Sequence, residues 1–313
     1  MIFSDSKGPR RVLSIGECMA ELAPTRDPKT FRMGFAGDTF NTAWYLAQIS
    51  TKAEVAYFTA VGDDDLSQEM LEFMRASNIS NAHVQVVPKK TVGLYRIQVK
   101  DGERSFTYWR EASAARALAA NEQALGAAFD DADLIYFSGI TLAILAEAPR
   151  DTLLRAVKAA RAKGKVIAFD PNLRPRLWRS IEEMTSKVMH AARLADLVFP
   201  SFEDEADWFE DNDPKATLDR YAELGASHVV VKDGDNPVIF QADAKQSEVL
   251  VPPIGVPKDT TAAGDSFNAG VLNGLIEGRD LHTSIQEGCA LAGCVVQRSG
   301  ALVDVGRTRA ANQ

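Results

Sequence analysis

The chain has 313 residues, 46% of them hydrophobic and 25% charged, with a formal net charge of -8. That apolar share suits one large α/β unit better than two equal domains. Acids distributed along the chain argue against broad attachment to nucleic acid or an anionic membrane, while leaving room for a local basic pocket.

Cys18, Cys289 and Cys294, and the scattered His83, His190, His228 and His282, form no close metal-binding spacing, which argues against a structural zinc site. No apolar stretch reaches the roughly 18 residues of a membrane span. With no secretory apolar core at the start, a reducing cytoplasm is expected.

Met1 to Arg10 is polar, contains Gly8 and Pro9, and reads as loose. Val12 to Ile15 predicts a strand entering a loop at Gly16-Glu17. Asp38 to Ile49 predicts a helix that buries Trp44, Tyr45 and Ile49; Val55 to Thr59 predicts a strand and Asp64 to Ala76 another helix. Val84 to Val87, Gly93 to Val99 and Arg104 to Trp109 have strand-like composition, with Asp101-Gly102 as the turn between the last two. A small sheet covering a site and an ordinary edge hairpin both satisfy that composition.

From Asp133 onward, strands and helices alternate. Strands are expected at Leu134 to Phe137, Val166 to Phe169, Leu197 to Phe199 and His228 to Val231, with helices near Pro149 to Lys163, Ile181 to Leu194 and Pro214 to Leu224. This order predicts a mostly parallel sheet with helices on both faces, and such sheets bind ligands at strand C-termini. Pro171, Arg174, Ser201, Lys232 and Gly234 all fall just after predicted strands.

The most distinctive run is Asp259-Thr260-Thr261-Ala262-Ala263-Gly264-Asp265-Ser266-Phe267. Its small residues permit close approach of backbone N–H groups, and the apolar pattern that follows suits a buried helix. The N-terminus of that helix would offer partial positive charge to a phosphoryl group. Asp265 would accept the attacking hydroxyl's proton while nearby amides stabilise the added charge. On spacing alone, a helix cap at Asp265 and a packing role for Gly264 serve equally well. No Gly-rich run leads to Gly-Lys-Ser/Thr, and neither Gly62-Asp63 nor Gly34-Phe35-Ala36-Gly37 makes a nucleotide fingerprint.

Together with Gly34-Phe35-Ala36-Gly37-Asp38-Thr39-Phe40-Asn41, this run resembles the ribokinase-like, or PfkB, carbohydrate kinases over nearly the whole chain, 10–313. The resemblance implies an α/β fold, a mostly parallel central sheet flanked by helices, with a small β-sheet lid from about 17–35 and 84–111. It implies homo-oligomer contacts through that lid. Asp265 matches the catalytic base and Ala262, Ala263 and Gly264 the anion-hole turn. Gly34 and Gly37 match glycines that bring backbone close to substrate, and Asp38 and Asn41 groups that bind or orient its hydroxyls. Helix capping is the local alternative for Asp38.

Gly93-Leu94-Tyr95, the stretch Gly102 to Arg110, and Asp170-Pro171-Asn172-Leu173-Arg174-Pro175-Arg176-Leu177-Trp178 resemble the 2-keto-3-deoxygluconate kinases of that family. This places Tyr95, Tyr108, Arg110 and Arg174 around a keto-deoxy sugar acid. Arg174 is the first choice for its carboxylate because a guanidinium offers a planar fork of donors; Arg110 is the second. Structural ion pairs and hairpin packing are the plainer roles for these residues.

Val231-Lys232-Asp233-Gly234 resembles the family's nucleotide-binding strand end, with Lys232 and Gly234 toward ATP; a solvated Lys232 is the alternative. Ser201-Phe202-Glu203-Asp204-Glu205 stands where many members carry Asn-any-any-Glu associated with Mg2+, and departs from it. Asp204 or Glu205 is left as the acidic counterpart, against the simpler reading of an acidic helix start. Ser284 to Gln297, with Ala290, Ala292 and Gly293, resembles the adenine-side wall, and Asp259 with the segment around Ser299 an implied K+ site. The implied reaction is ATP-dependent phosphorylation of 2-keto-3-deoxygluconate at its 6-hydroxyl. A kinase for 2-keto-3-deoxygalactonate or fructose, and a noncatalytic sugar-sensing protein, are the competing readings.

Overall fold

The computed structural model describes residues 2–3, 8–27, 29–100 and 103–306. The first half contains β1 (Arg10–Ile15), β2 (Met19–Pro24), β3 (Phe31–Ala36), α1 (Asp38–Ile49), β4 (Ala53–Phe58), β5 (Ala60–Val61), α2 (Asp65–Ala76), β6 (Gln85–Val86), β7 (Gly93–Lys100), β8 (Glu103–Trp109), α3 (Glu122–Asp131), β9 (Leu134–Ser138) and α4 (Gly139–Ala143). The second half contains α5 (Glu147–Ala162), β10 (Val166–Asp170), α6 (Ile181–Ala192), β11 (Leu197–Val198), α7 (Phe202–Phe209), α8 (Pro214–Glu223), β12 (His228–Val231), β13 (Val238–Ala242), β14 (Lys245–Val249), α9 (Ala263–Ile276) and α10 (Leu281–Val296).

Eight strands form the central sheet in the order β14-β13-β12-β11-β10-β9-β1-β4. Neighbours from β4 through β12 run parallel, and β13 and β14 return antiparallel at one edge. The strand order reverses at β1, which pairs β4 on one side and β9 on the other. Open sheets of this kind leave a crevice beyond the strand C-termini at such a reversal.

Strands β9 and β10 are buried along their whole length, as parallel strands covered on both faces must be. Successive side chains point to opposite faces. Val12, Tyr136, Ala168 and Val230 pack with α1, α9 and α10, whereas Leu13, Ile135, Ile167 and Val229 pack with α3, α5, α6 and α8. On the first face, α9 and α10 lie so close that a Cβ on Gly270 would come within 2.6 Å of the Gly288 Cα.

Helix α1 buries Tyr45 completely, and its hydroxyl donates to the Ala301 carbonyl at 2.7 Å. Trp44 and Ile49, expected to be buried with it, are only half-buried. The stripe that meets the core is Phe40, Ala43, Leu46 and Ala47, which leaves Trp44 at its margin with its ring edge-on to Tyr45.

A separate four-stranded mixed sheet, in the order β3-β2-β7-β8, forms the lid. Its membership differs from the sequence expectation at one place. Gln85 and Val86 pair with Ala60 and Val61 in a small sheet of their own, so residues 84–87 stand outside the lid sheet. The expected turn residues Asp101 and Gly102 lie outside the described residues, but the ladder they would close runs to the Lys100 and Glu103 pair.

Because the contact opposite Gly270 is backbone, relaxation there is restricted. Gly270→Ala is expected to destabilise the protein by about 1–3 kcal/mol through overpacking. A urea titration checks this as a lowered midpoint at unchanged slope; an unchanged midpoint would show that α9 and α10 separate freely.

Candidate active site

Helix α9 begins after Ala262, which adopts a left-handed φ of 60° and provides no side-chain cap. An uncapped helix start leaves first-turn amides without intrahelical partners and favours an anion. Of the three residues expected in the anion-hole turn, Ala263 has its own N–H turned back to the Thr260 carbonyl at 3.1 Å.

Asp265 lies in this first turn. Its carboxylate accepts a 2.8 Å hydrogen bond from Asn41 Nδ2, and its carbonyl accepts the Thr42 hydroxyl at 3.1 Å. Burial first, then the neighbouring Asp38 and Asp170 carboxylates, push the Asp265 pKa up to about 8, against the opposing pull of Asn41 and Lys232. The Asn41 Oδ1 accepts the Gly37 N–H at 3.3 Å, so both ends of this amide are engaged by the protein. Asn41, expected to bind or orient substrate hydroxyls, is held by Gly37 and in turn holds Asp265.

Gly37 is required by close approach: a Cβ there would fall 2.1 Å from the Glu17 carbonyl. This lets the start of α1 pass the β1–β2 connection. Asp38 follows immediately and accepts Asn172 Nδ2 at 2.7 Å; burial raises its pKa as well. Gly34 lies in the adjacent lid strand β3, opposite Glu21 of β2.

Asp170, at the end of β10, is 5% exposed. It accepts Lys232 Nζ at 2.9 Å, Asn268 Nδ2 at 2.6 Å and the Asn172 backbone N–H at 3.0 Å. Lys232 is therefore held rather than solvated, and its Nζ sits 3.6 Å from where a Cβ on Gly264 would lie. The sequence motifs contain Asp170 and Asn172 without marking a role for them. Asn268 carried one signal only, a polar residue three positions after Asp265 on the same helix.

On the loops expected to face the nucleotide, Ser201 and Lys232 form a parallel bridge beyond β11 and β12, and Gly234 follows with a left-handed φ of 59°. Ala292 is half-buried on α10. The end of that helix meets the Asp259 loop, where the Val296 carbonyl accepts the Lys258 and Asp259 amides. Asp259 is buried and accepts the amides of Thr261 and Gly300, at 3.0 and 2.6 Å.

From the lid, Tyr95 donates its hydroxyl to Glu21, and its ring packs 5.8 Å from that of Tyr108. Burial followed by the Glu21 charge raises the Tyr95 pKa. Arg110 pairs with buried Glu17, which also accepts the Ser113 hydroxyl. Burial raises the Tyr108 pKa while Arg110, Arg174 and Arg176 pull it down, so the three guanidinium groups share one neighbourhood. Arg174 itself pairs with Asp204 at 2.9 Å. Neither Glu17 nor Glu21 stands out in sequence, because each is a single acid among apolar neighbours.

The sequence pattern of the pfkB family carbohydrate kinases matches residues 9–305. The chain belongs to this family. It is 37% identical over 302 residues to 2-dehydro-3-deoxygluconokinase of Haemophilus influenzae, covering 94% of this chain and 96% of that one. To the enzyme of the same name from Escherichia coli K12 it is 36% identical over 303 residues, covering 94% and 97%. The crystal structure of the PfkB protein from Polaromonas sp. JS666 superposes with a TM-score of 0.80 at 28% identity, covering 92% of this chain and 96% of that one.

In this pfkB kinase the acids of α7 differ from the expected metal arrangement. Glu205 is wholly buried between Arg220, at 2.8 Å, and the Tyr221 hydroxyl, at 3.0 Å. Burial raises its pKa to about 7 against the pull of Arg220. It belongs to the packing of α7 on α8 and presents no carboxylate to a phosphate-bound ion. Asp204 is partly exposed but shares its charge with Arg174. Among the described residues no group of three or more His, Cys, Asp or Glu side chains could hold a metal ion.

Asp265 ionises near pH 4 in an unfolded chain and at about 8 in the folded kinase. Its protonated form stabilises the fold fully below about pH 4, and that contribution is lost as pH rises through about 8. The Asp265→Asn variant cannot ionise. It is expected to match the wild type near pH 4 and to exceed it by on the order of 2 kcal/mol or more at pH 8.5. Urea unfolding across that range checks this; a pH-independent difference would contradict the raised pKa.

Proposed function

We propose that this kinase transfers the γ-phosphoryl group of ATP to the 6-hydroxyl of 2-keto-3-deoxygluconate (2-dehydro-3-deoxygluconate), giving the 6-phosphate and ADP. The observation that carries this reading is Asp265, held by Asn41 at the uncapped start of α9 beside Lys232. The activity named for its relatives of Haemophilus influenzae and Escherichia coli supports the substrate class.

ATP bound on the Ser201, Lys232 and Gly234 side supplies the phosphoryl group, and a magnesium ion bound with it would neutralise polyphosphate charge. The uncapped amide turn and the Lys232 ammonium fit an anion at that position. Asp265 accepts the proton of the sugar hydroxyl; a base with a pKa near the working pH is both available and strong. First-turn amides of α9 and Lys232 face the charge that builds on the phosphoryl oxygens. At the other end, Arg174 is the partner for the sugar carboxylate, in the neighbourhood it shares with Tyr108, Arg110 and Arg176. Glu17 and Glu21 fix Arg110 and Tyr95 on the lid, so these two shape the sugar pocket chiefly by position. Holding the acid at both ends aligns the 6-hydroxyl for in-line attack.

A second reading draws on the same arginines. Arg174 already faces Asp204 and Arg110 faces Glu17, which weakens the positive field and suits a less charged sugar such as fructose; 2-keto-3-deoxygalactonate remains an alternative acid. An ATP-dependent assay across neutral hexoses and keto-deoxy sugar acids, with product-position analysis, separates these. Turnover is expected for 2-keto-3-deoxygluconate. Arg174→Ala is expected to raise its KM at least about tenfold, roughly 1.4 kcal/mol, at unchanged KM for ATP. Turnover of a hexose with none of the acids overturns the assignment.

The lid face opposite Tyr95 and Tyr108 leaves Met33 and Trp109 45% and 56% exposed. A second copy of the chain packed on this face is part of the proposal. Trp109→Asp is expected to convert the oligomer to a monomer in sedimentation equilibrium. A monomeric wild type, or a variant that assembles unchanged, removes this part.

A further inference from the structure

Asp170 is a buried acid at the site to which the reaction above assigns no step. Three elements meet at its carboxylate. From beyond β12 comes the Lys232 ammonium at 2.9 Å, from α9 the Asn268 amide at 2.6 Å, and from its own loop the Asn172 N–H at 3.0 Å. Lys232 also reaches Asn268 Oδ1 at 3.4 Å, so the ammonium is shared by Asp170 and the helix that carries Asp265. The same Asn268 amide donates to the Tyr136 hydroxyl at 3.1 Å, which fixes its orientation from the floor of the sheet.

We propose that Asp170 is a positioning residue for phosphoryl transfer, pinning the Lys232 ammonium beside Gly264 while Asn268 registers that pair to the helix bearing Asp265. The inference rests on the kinase reading above. A lysine on a flexible four-carbon stem must be ordered before it can meet a phosphoryl oxygen in fixed geometry, and a buried counter-ion orders it in advance. A merely neutralising partner would satisfy Asp170 anywhere along the strand ends. Here the Lys232 side chain is 14% exposed and its ammonium lies 3.6 Å from the Gly264 Cβ position, at the turn where negative charge would accumulate.

The charges facing Asp265 make the role testable by pH. They are Asp38 from α1, Asp170 from β10 and Lys232 from beyond β12; the hydroxyls of Tyr45 and Tyr136 also face it, kept neutral by pKa values that burial raises. Removing an acid lowers the Asp265 pKa and removing the ammonium raises it. The acid limb of kcat/KM reports the free enzyme.

The experiment uses full-length wild type, Asp170→Asn, Lys232→Met and the double variant. Each single variant is expected to lose at least about tenfold in kcat, and the double variant no more than Lys232→Met alone, because Asp170 acts through Lys232. The acid limb is expected to move to lower pH in Asp170→Asn and to higher pH in Lys232→Met. Losses that multiply in the double variant, or limbs that move together or not at all, overturn the proposal. Asp170→Glu, which keeps the charge but displaces the carboxylate, is expected to lose rate with the limb in place and serves if Asp170→Asn does not fold. ATP affinity by calorimetry needs no turnover. Asp170→Asn is expected to weaken it at least about fivefold in the wild-type background and less than twofold in the Lys232→Met background. An equal change in both backgrounds, or none, also overturns the proposal. A wild type that phosphorylates no sugar refutes the kinase reading, while the ATP measurement still decides the role of Asp170.

Discussion

The charge of Asp265 is the constraint around which the site is built, because burial first, and then the like charges of Asp38 and Asp170, raise its pKa. Each acid has its own asparagine donor: Asn172 on Asp38 at 2.7 Å, Asn268 on Asp170 at 2.6 Å and Asn41 on Asp265 at 2.8 Å. An amide satisfies a carboxylate oxygen without adding charge. The Lys232 ammonium contacts Asp170 directly and influences Asp265 from further away. Asp265 thus has a hydrogen-bond partner but, among the described residues, no contacting cation to offset the burial and the like charges that raise its pKa to about 8. The arrangement makes one of the three acids titrate at about 8.

That balance depends on elements far apart in sequence arriving in register. Asn41 and Asp265 are separated by 224 positions, Asp38 and Asn172 by 134. Thr42 helps by donating its hydroxyl to the Asp265 carbonyl at 3.1 Å while lying 3.3 Å from the Tyr136 hydroxyl, so α1, α9 and β9 share one polar seam within an apolar layer. The tight α9–α10 contact at Gly270 and Gly288 fixes the helix from behind. A destabilised carboxylate can persist only where its surroundings are rigid enough to over-determine it; the packing on this face of the sheet supplies that rigidity.

The strands of the central sheet were legible because continuous apolar runs such as Leu134 to Phe137 and Val166 to Phe169 have few other uses. Asp265 at a helix start was legible from the small residues before it. The lid strands β2 and β3 were less so: Met19 to Pro24 mixes apolar residues with Glu21 and ends in proline, so period-two alternation is weak. Val84 to Val87 shows the converse, since strand-like composition does not specify a partner and these residues joined β5 instead of the lid. Glu205 misled because an acid at a helix start has the same local pattern whether it faces an ion or, as here, an arginine 15 positions later. The asparagine partners were hidden for the same reason. A hydrogen bond across the fold leaves no trace in local spacing.

Asp38 and Asp170 act on Asp265 where the sheet ends and α9 begins, and Arg110, Arg174 and Arg176 act on Tyr108 of the lid, with Arg174 also within the field of Asp170 and Asp38. On the proposed reaction, a sugar acid bound in reverse would bring its carboxylate toward Asp38, Asp170 and Asp265, a like-charge penalty that remains although Arg110 and Arg174 already have acid partners. The lid acids Glu17 and Glu21 then have a structural logic of their own, holding Arg110 and Tyr95 in place.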